Sequence, residues 1–520
     1  MNKLLTLIAK HEEKIKILLI FYALYCAVII GVSWDEKYYH VLGKINLNYL
    51  LSFGLLEENF DQKYRYSTLY WSFSSLISQL APSKYTIEIH HIINTVFGLL
   101  IILGIYHVTK KLFNKSIAKI SSVFLFLIPF FFGHLAINSK DTIVAFAHVW
   151  IFYYLIKYSI NIIDFKKRLL IILKISTLSA LGTGIQLLFL GSLLPIVILF
   201  LSYILFFKNR SFKEIFFDFA IYLVLFYFIL LLFWVDTHSN VLALPLQFFI
   251  KTLSLDIGWP FNLLNGDYSS SRNVNKGYLL INYFYKLPEF IIFLYVVSLP
   301  IIIINFQKLK KKINNILLKF LSILLILIFP NFVLIFISYP IYDGLRLFLW
   351  VAPYLVLIPA ITFFLLINYK NIFFTFLKSI AIILIVFHII NFLNITPYHY
   401  TYLNSLSGEK KERYKKFEND YWSVTLKELI LSSNLPEKKI NYHTCGVSPG
   451  LTKSYMKQRY GNVEYTDIKN ATYIIMTNRT VSSRKSDKIT NCFDEYASEN
   501  VHQVVRNGIV LSAIKKYNHE

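Results

Sequence analysis

Residues 287–338 read LPEFIIFLYVVSLPIIIINFQKLKKKINNILLKFLSILLILIFPNFVLIFIS. Two apolar runs, 287–306 and 315–338, flank a short segment carrying Lys308, Lys310, Lys311 and Lys312. Each run matches the roughly 20 residues that a 30 Å hydrocarbon core demands. Such runs must be helical, because lipid offers no partners to an open backbone. A lysine cluster between two of them marks the cytoplasmic side.

Outward from that stretch the pattern repeats. Further apolar segments occupy about 17–33, 87–107, 118–135, 142–157, 169–185, 187–207, 215–235, 347–368 and 374–395, eleven in all. The fifth and sixth are separated only by Gly182-Thr183-Gly184, which reads as a turn. Every second connection is basic: Lys3, Lys10, Lys14 and Lys16; Lys110, Lys111 and Lys115; Lys166, Lys167 and Arg168; Lys208, Arg210 and Lys213. With these inside, the N-terminus is cytoplasmic and, after an odd number of crossings, the C-terminus is extracytoplasmic. Met1 to Lys16 is basic and the run from Ile17 lacks a small-residue cleavage site, so the first helix reads as a retained anchor. The fold class expected is a mainly α, polytopic membrane helix bundle over 1–395, with a small α/β extracytoplasmic domain over 396–520.

Composition agrees. Of 520 residues, 56% are hydrophobic and only 16% charged, against about 25% charged in a soluble domain. The net charge of +23 is explained by the inside loops, and no nucleic-acid-binding pattern accompanies it. Cys26 lies in the first helix, whereas Cys445 and Cys492 lie in the tail, where an oxidising compartment would permit a disulfide. The tail also holds strand-like runs at 473–476 and 508–513 and a helix-like run at 424–432.

The outer connections carry the chemistry. The first is long, with an aromatic stretch from Tyr64 to Trp71 suited to an interfacial helix. Another runs from Asp236 to Pro288, with turn signals at Trp259-Pro260 and Gly266-Asp267. Asp35 and Glu36 follow the first helix, Asp141 opens the fourth, and Asp343 precedes the tenth, so all four acids share one membrane face. Lys174, Asp218 and Lys319 sit near cytoplasmic ends, and only His148 and His388 lie deep in helices. Ion-coupled transport depends on ionisable groups within the membrane, so their scarcity argues against a pump. Asp35, pressed against Trp34 at a helix exit, suits a general base. Glu36 reads equally as a solvated loop charge, and Asp141 as a complement to a helix dipole. Three cations on this face escape the positive-inside rule: Lys140, Lys286 and Arg346. An arginine there can grip a phosphate with its two-pronged guanidinium; the bland alternative pairs Arg346 with Asp343. His40, His90, His91 and His134 show no metal-binding spacing, so a divalent metal bridging the outer acids has no support in the sequence.

These stretches resemble the GT-C glycosyltransferases, in particular bacterial relatives of the dolichyl-phosphate-mannose protein mannosyltransferases and of the aminoarabinose transferases. The resemblance rests on Trp34-Asp35-Glu36, Asn138-Ser139-Lys140-Asp141, Tyr278 to Pro288, Tyr342-Asp343-Gly344-Leu345-Arg346, and Pro397 to Asn404, in the expected order. Asp420-Tyr421-Trp422 in the tail is also familiar from that group. Where the group often carries a basic residue after the glycine-rich turn, this chain has Gln186. The resemblance implies an inverting glycosyltransferase that takes a sugar from a polyprenyl-phosphate donor at the outer face of the plasma (inner) membrane. It assigns Asp35, with Glu36 and Asp141, to catalysis. It assigns Arg346, Lys286, Lys140, Tyr342, Asp343 and His134 to the substrate and its lipid phosphate. The implied partners are membrane lipids, the lipid-linked donor and a protein, lipid or glycan acceptor. Alternatives are a lipid-linked glycan flippase or transporter, or a GT-C-type polymerase or ligase.

Overall fold

The computed structural model describes residues 11–55, 66–160, 164–208, 210–253, 258–337, 339–369 and 371–517. All eleven apolar segments fall on helices. Eight are long and apolar enough to cross a membrane by length and composition: Ser83–Leu112, Phe165–Ile185, Phe189–Phe207, Phe212–Leu232, Glu289–Lys312, Ile316–Phe336, Arg346–Asn368 and Ile372–Asn394. The others are Glu12–Ile29, Lys115–Phe126 continued by Pro129–Phe132, and Asp141–Ile160. The chain is a multi-pass membrane protein. Its lipid-facing surface is lined by side chains such as Leu18, Phe216, Val224, Val296, Leu299 and Ile383, all exposed. Between the helices lies one large apolar core, which includes Ile105, Val149, Phe152, Leu294, Tyr354 and Ala360.

Three details differ from expectation. Lys115–Phe126 stops before Ile128, which is extended (ψ 110°), because the ring of Pro129 disfavours helical backbone in the residue before it. Gly182 and Gly184 lie inside Phe165–Ile185 rather than in a turn; the break comes at Gln186, which is extended. Their missing side chains admit the Phe189 ring and Ser67, both of which a Cβ would strike. The aromatic stretch of the first outer loop contributes a helix at Leu69–Ser78. Its Tyr70 and Trp71 turn inward, 3% and 1% exposed; Tyr64 and Arg65 lie outside the described residues.

The tail contains β3 (Ile440–Cys445), β4 (Val463–Tyr465), β5 (Tyr473–Thr477), the short pair β6 (Thr480–Ser482) and β7 (Ile489–Asn491), β8 (Asn500–Arg506) and β9 (Ile509–Lys516), and builds a five-stranded sheet in the order β4-β3-β5-β9-β8. β3 runs parallel to β4 and β5, and β9 antiparallel to β5 and β8. Leu426–Ser432 and Pro449–Tyr460 supply its helices. The sheet is not a separate appendage. Its core is continuous with Ile30, Val32, Ile137, Tyr398 and Tyr400 at one end of the bundle. A hairpin from the bundle, β1 (Phe261–Leu264) and β2 (Asp267–Ser270), reaches over to it. Asn265 and Gly266 form the hairpin turn with positive φ (52° and 96°), the backbone a two-residue loop requires. Gly266 N–H donates to Lys416 O at 3.1 Å. Cys445 and Cys492 form a disulfide.

Candidate functional site

The end of the bundle under the tail domain holds a cavity of about 200 Å³. Asp35, Glu36, Tyr39, Tyr66, Lys140, Asp141, Tyr342, Arg346 and Trp422 line it, together with Gly258, Leu347 and residues 137–139. Residues 311 positions apart in sequence thus converge on one space.

Local sequence explains each placement. The first helix ends at Ile29, and Gly31 lets the chain pass against Val424 of the tail, where a Cβ would clash. Asp35 then starts the helix Glu36–Leu51. Asn138 accepts from the Asp141 backbone N–H (2.8 Å) and donates Nδ2 to Asp141 Oδ2 (2.9 Å). One asparagine therefore caps the helix Asp141–Ile160 and orients the carboxylate that begins it. Asp343 and Gly344 both have positive φ, 59° and 62°, which aspartate and glycine tolerate best. That bend delivers Arg346 inward.

Arg346 is the hub. It lies 3.5 Å from Asp35, 3.8 Å from Asp141 and 3.3 Å from Asp343. Its guanidinium carbon stands over the rings of Tyr342 (5.1 Å) and Trp422 (4.8 Å). The Asp343 ion pair expected as the bland alternative is present, but it uses one edge of the guanidinium. Among the described residues, Arg346 Nε has no hydrogen-bond partner, and its 3.8 Å approach to Asp141 is too long to be one. A buried donor left unmatched is costly, so this edge is a natural seat for a ligand oxygen. Lys140 donates to Tyr66 OH at 3.2 Å and sits over its ring. Burial opposes its charge, but Tyr66 and Asp141 outweigh that and raise its pKa.

The two central acids differ in access. The Asp35 side chain is 43% exposed, that of Asp141 only 6%. Asp35 is therefore the carboxylate that an incoming molecule meets first. Glu36 borders the cavity but is neither solvated nor free: it is 3% exposed and accepts from Ser33 N–H and from His91 Nε2 (2.6 Å). Its geometry fastens the first outer loop to Thr86–Leu112.

Three expected site residues stand behind the wall. His134 contacts Phe130 O (2.6 Å) through Nδ1 and Tyr421 OH (2.8 Å) through Nε2. Asp343, 2% exposed, bridges Arg346 to Arg479 of the tail. Lys286 is buried against Gly344, with Phe417 and Tyr421 as its nearest rings. Burial pulls its pKa down to about 8, with Glu418 and Asp343 pulling the other way.

Sequence reading missed Tyr39, Tyr66, Glu418 and Arg479. Tyr39 stacks flat on Trp71 (4.6 Å between ring centres, 5° between planes) and lines the cavity beside Tyr66. The clustering of aromatics with Lys140 was its only signal. Each deep histidine has one partner, His148 Nδ1 with Tyr354 OH (2.7 Å) and His388 Nε2 with Leu127 O (2.8 Å), while among the described residues the other ring nitrogen of each is buried without one. At the opposite end of the bundle Asp218 joins Arg168 and Arg210, each at 3.0 Å. Among the described residues, no three His, Cys, Asp or Glu side chains gather as a metal site.

No family model matches the chain, and no curated protein matches it. Solved structures do. ArnT from Cupriavidus metallidurans bound to undecaprenyl phosphate is similar over 96% of this chain and 97% of that one, at 10% identity and a TM-score of 0.49. The Archaeoglobus fulgidus oligosaccharyltransferase in the apo form is similar over 88% of this chain and 65% of that one, at 11% identity and 0.47. The same organism's oligosaccharyltransferase AglB, in complex with an inhibitory peptide and a dolichol-phosphate, is similar over 90% and 70%, at 11% identity and 0.46.

Proposed function

We propose that the chain is an inverting glycosyltransferase of the GT-C type, which moves a sugar from a polyprenyl-phosphate donor to an acceptor at the extracytoplasmic membrane face. The observation that carries this reading is the convergence of Asp35, Asp141, Lys140 and Arg346 on one cavity at the end of an apolar bundle. A carboxylate that can take a proton and cations that can take a phosphate are the two components the reaction needs.

In this reading the donor's prenyl chain stays in lipid and its phosphate enters the cavity. Arg346, through the Nε edge that makes no hydrogen bond among the described residues, and Lys140 hold the phosphate oxygens. Asp35 faces the acceptor hydroxyl. The acceptor oxygen attacks the anomeric carbon, and the carbon–oxygen bond to phosphate breaks with its electron pair on the departing polyprenyl phosphate. The acceptor proton passes to Asp35. Attack opposite the leaving group inverts the anomeric centre, and the transition state has oxocarbenium character. Preorganised cations beside the leaving oxygen stabilise the charge that develops there. Asp141 acts through Arg346 and Lys140, fixing both. Tyr342 and Trp422 hold the guanidinium plane. In this reading the basic loops face the cytoplasm, and the cavity and the tail face outward.

Reconstitution tests this. Purified protein in liposomes, supplied with a panel of synthetic polyprenyl-phosphate sugars and an envelope lipid extract, should release free polyprenyl phosphate and form a glycosylated product detectable by mass spectrometry. Movement of the lipid-linked sugar between leaflets without cleavage would favour a flippase and end the proposal.

A further inference from the structure

Behind the cavity wall lies a second set of charges with no place in the scheme above. Arg479 sits between β5 and β6 (Thr480–Ser482) of the tail. Its side chain is 5% exposed, pairs with Asp343, and lies 3.7 Å from Glu418. Trp259 from the long outer loop covers the guanidinium at 4.3 Å. The backbone there is braced: Arg479 O accepts from Cys492 N–H (3.0 Å), and Cys492 is tied to Cys445 by the disulfide. Gly446 makes room, since a Cβ there would strike both Arg479 and Cys492.

Glu36 is matched separately by His91. Of the remaining charges, Asp35, Asp141, Asp343 and Glu418 are four acids, and Lys140, Lys286, Arg346 and Arg479 are four bases, so the two sets balance only when Arg479 is included. Asp343 touches two of the bases, Arg346 and Arg479. Without Arg479, Asp343 would bind Arg346 alone, and the site would hold one uncompensated buried negative charge facing an anionic ligand. In a buried, poorly screened setting such a charge acts over several ångströms.

Resting on the glycosyltransferase reading, we infer that Arg479 is a positioning residue: it neutralises Asp343 from behind, so that Arg346 remains available to the donor phosphate. Through Arg479 the tail domain thereby tunes the membrane site with a residue that does not itself touch the substrate.

The test measures binding of a synthetic polyprenyl phosphate to detergent-solubilised full-length protein, with the matching polyprenol as uncharged control. Wild-type protein binds the phosphate and prefers it to the alcohol. Arg479→Gln binds it about tenfold more weakly, a loss of about 1.4 kcal/mol. Adding Asp343→Asn to Arg479→Gln restores affinity to within about threefold of wild type, because the surplus negative charge is gone. A residue with only a structural role would make the double variant worse, so absence of rescue overturns the inference. Arg479→Lys keeps the charge and stays within about threefold of wild type. Asp343→Asn alone leaves Arg479 in place and tightens binding; weaker binding there overturns the inference even if Arg479→Gln does not fold. No preference for phosphate in the wild type sinks the glycosyltransferase reading itself. Wild-type preference with unchanged affinity in Arg479→Gln sinks only the role of Arg479.

Discussion

Replacing Asp35 by Asn separates chemistry from architecture more cleanly than any other change at this site. The side chain is 43% exposed and meets Arg346 at 3.5 Å. An ion pair that open contributes about 0–1 kcal/mol to stability. Arg346 keeps Asp141 and Asp343 as partners, so the fold should hold. Ligand affinity should rise, because a negative charge leaves the cavity. Asp35 lies 3.5 Å from the Arg346 guanidinium, so a phosphate held on the far side of that group, at hydrogen-bond distance, would stand roughly 7 Å from the carboxylate. At that distance two unit charges interact by about 0.6 kcal/mol in water and about 2.4 kcal/mol at an effective dielectric constant near 20. The donor phosphate should therefore bind about three- to fiftyfold more tightly. The rate should fall about 10²- to 10⁴-fold, the usual contribution of a positioned base, or about 2.7–5.4 kcal/mol of barrier. The assay is single-turnover transfer from a radiolabelled polyprenyl-phosphate sugar in proteoliposomes, with donor affinity measured separately. Transfer within tenfold of wild type, or weaker donor binding, would refute the assignment of Asp35.

Other outcomes follow from the same geometry. Arg346→Gln leaves Asp141 and Asp343 buried at 6% and 2% exposure with fewer cations; stability in a thermal-shift or denaturant assay should drop by about 3–5 kcal/mol, and donor binding should be lost. Lys286 is held near 8 by burial, so its charge is full below that pH and disappears above it. Binding of a polyprenyl phosphate, already dianionic in this range, should weaken about two- to threefold from pH 7 to pH 9, and Lys286→Met should flatten the profile. As a stability effect the sign is opposite: the folded-state pKa lies below that of a free lysine, so this residue's contribution improves between about pH 8 and 10.4 as the unfolded chain sheds the extra proton. Replacing Cys445 and Cys492 together by Ser opens a loop of 47 residues, which by chain entropy costs the tail domain about 4 kcal/mol; limited proteolysis should then cut the tail first.

The helices were legible because lipid leaves the chain so little freedom. A run near 20 apolar residues has one solution, and the alternation of lysine-rich loops fixes which ends share a face. The same logic put Asp35, Asp141, Lys140 and Arg346 on one face, and they line a common cavity there. Other features escaped because their cause is tertiary. The Gly182-Thr183-Gly184 sequence looks like a turn, yet its glycines serve close approach by Phe189 and Ser67. Glu36 is adjacent to Asp35 in sequence but points to His91, a partner 55 residues away that no local pattern announces. Lys286, His134 and Asp343 share the face of the site but stand one layer back, a distinction that depends on the bend at Asp343-Gly344. Arg479 carries no local signal at all: its pairing with Asp343, 136 residues away, exists only in the tertiary fold.

The central claim is spatial, and a cryo-electron microscopy structure with a bound polyprenyl phosphate tests it most directly. Phosphate density should lie within hydrogen-bonding reach of Arg346 Nε and Lys140 Nζ, with the prenyl chain leaving toward the lipid-facing surface and Asp35 open on the other side. Phosphate density at the opposite end of the bundle, near Arg168 and Arg210, or on the far side of Trp422 from Arg346, would contradict the account.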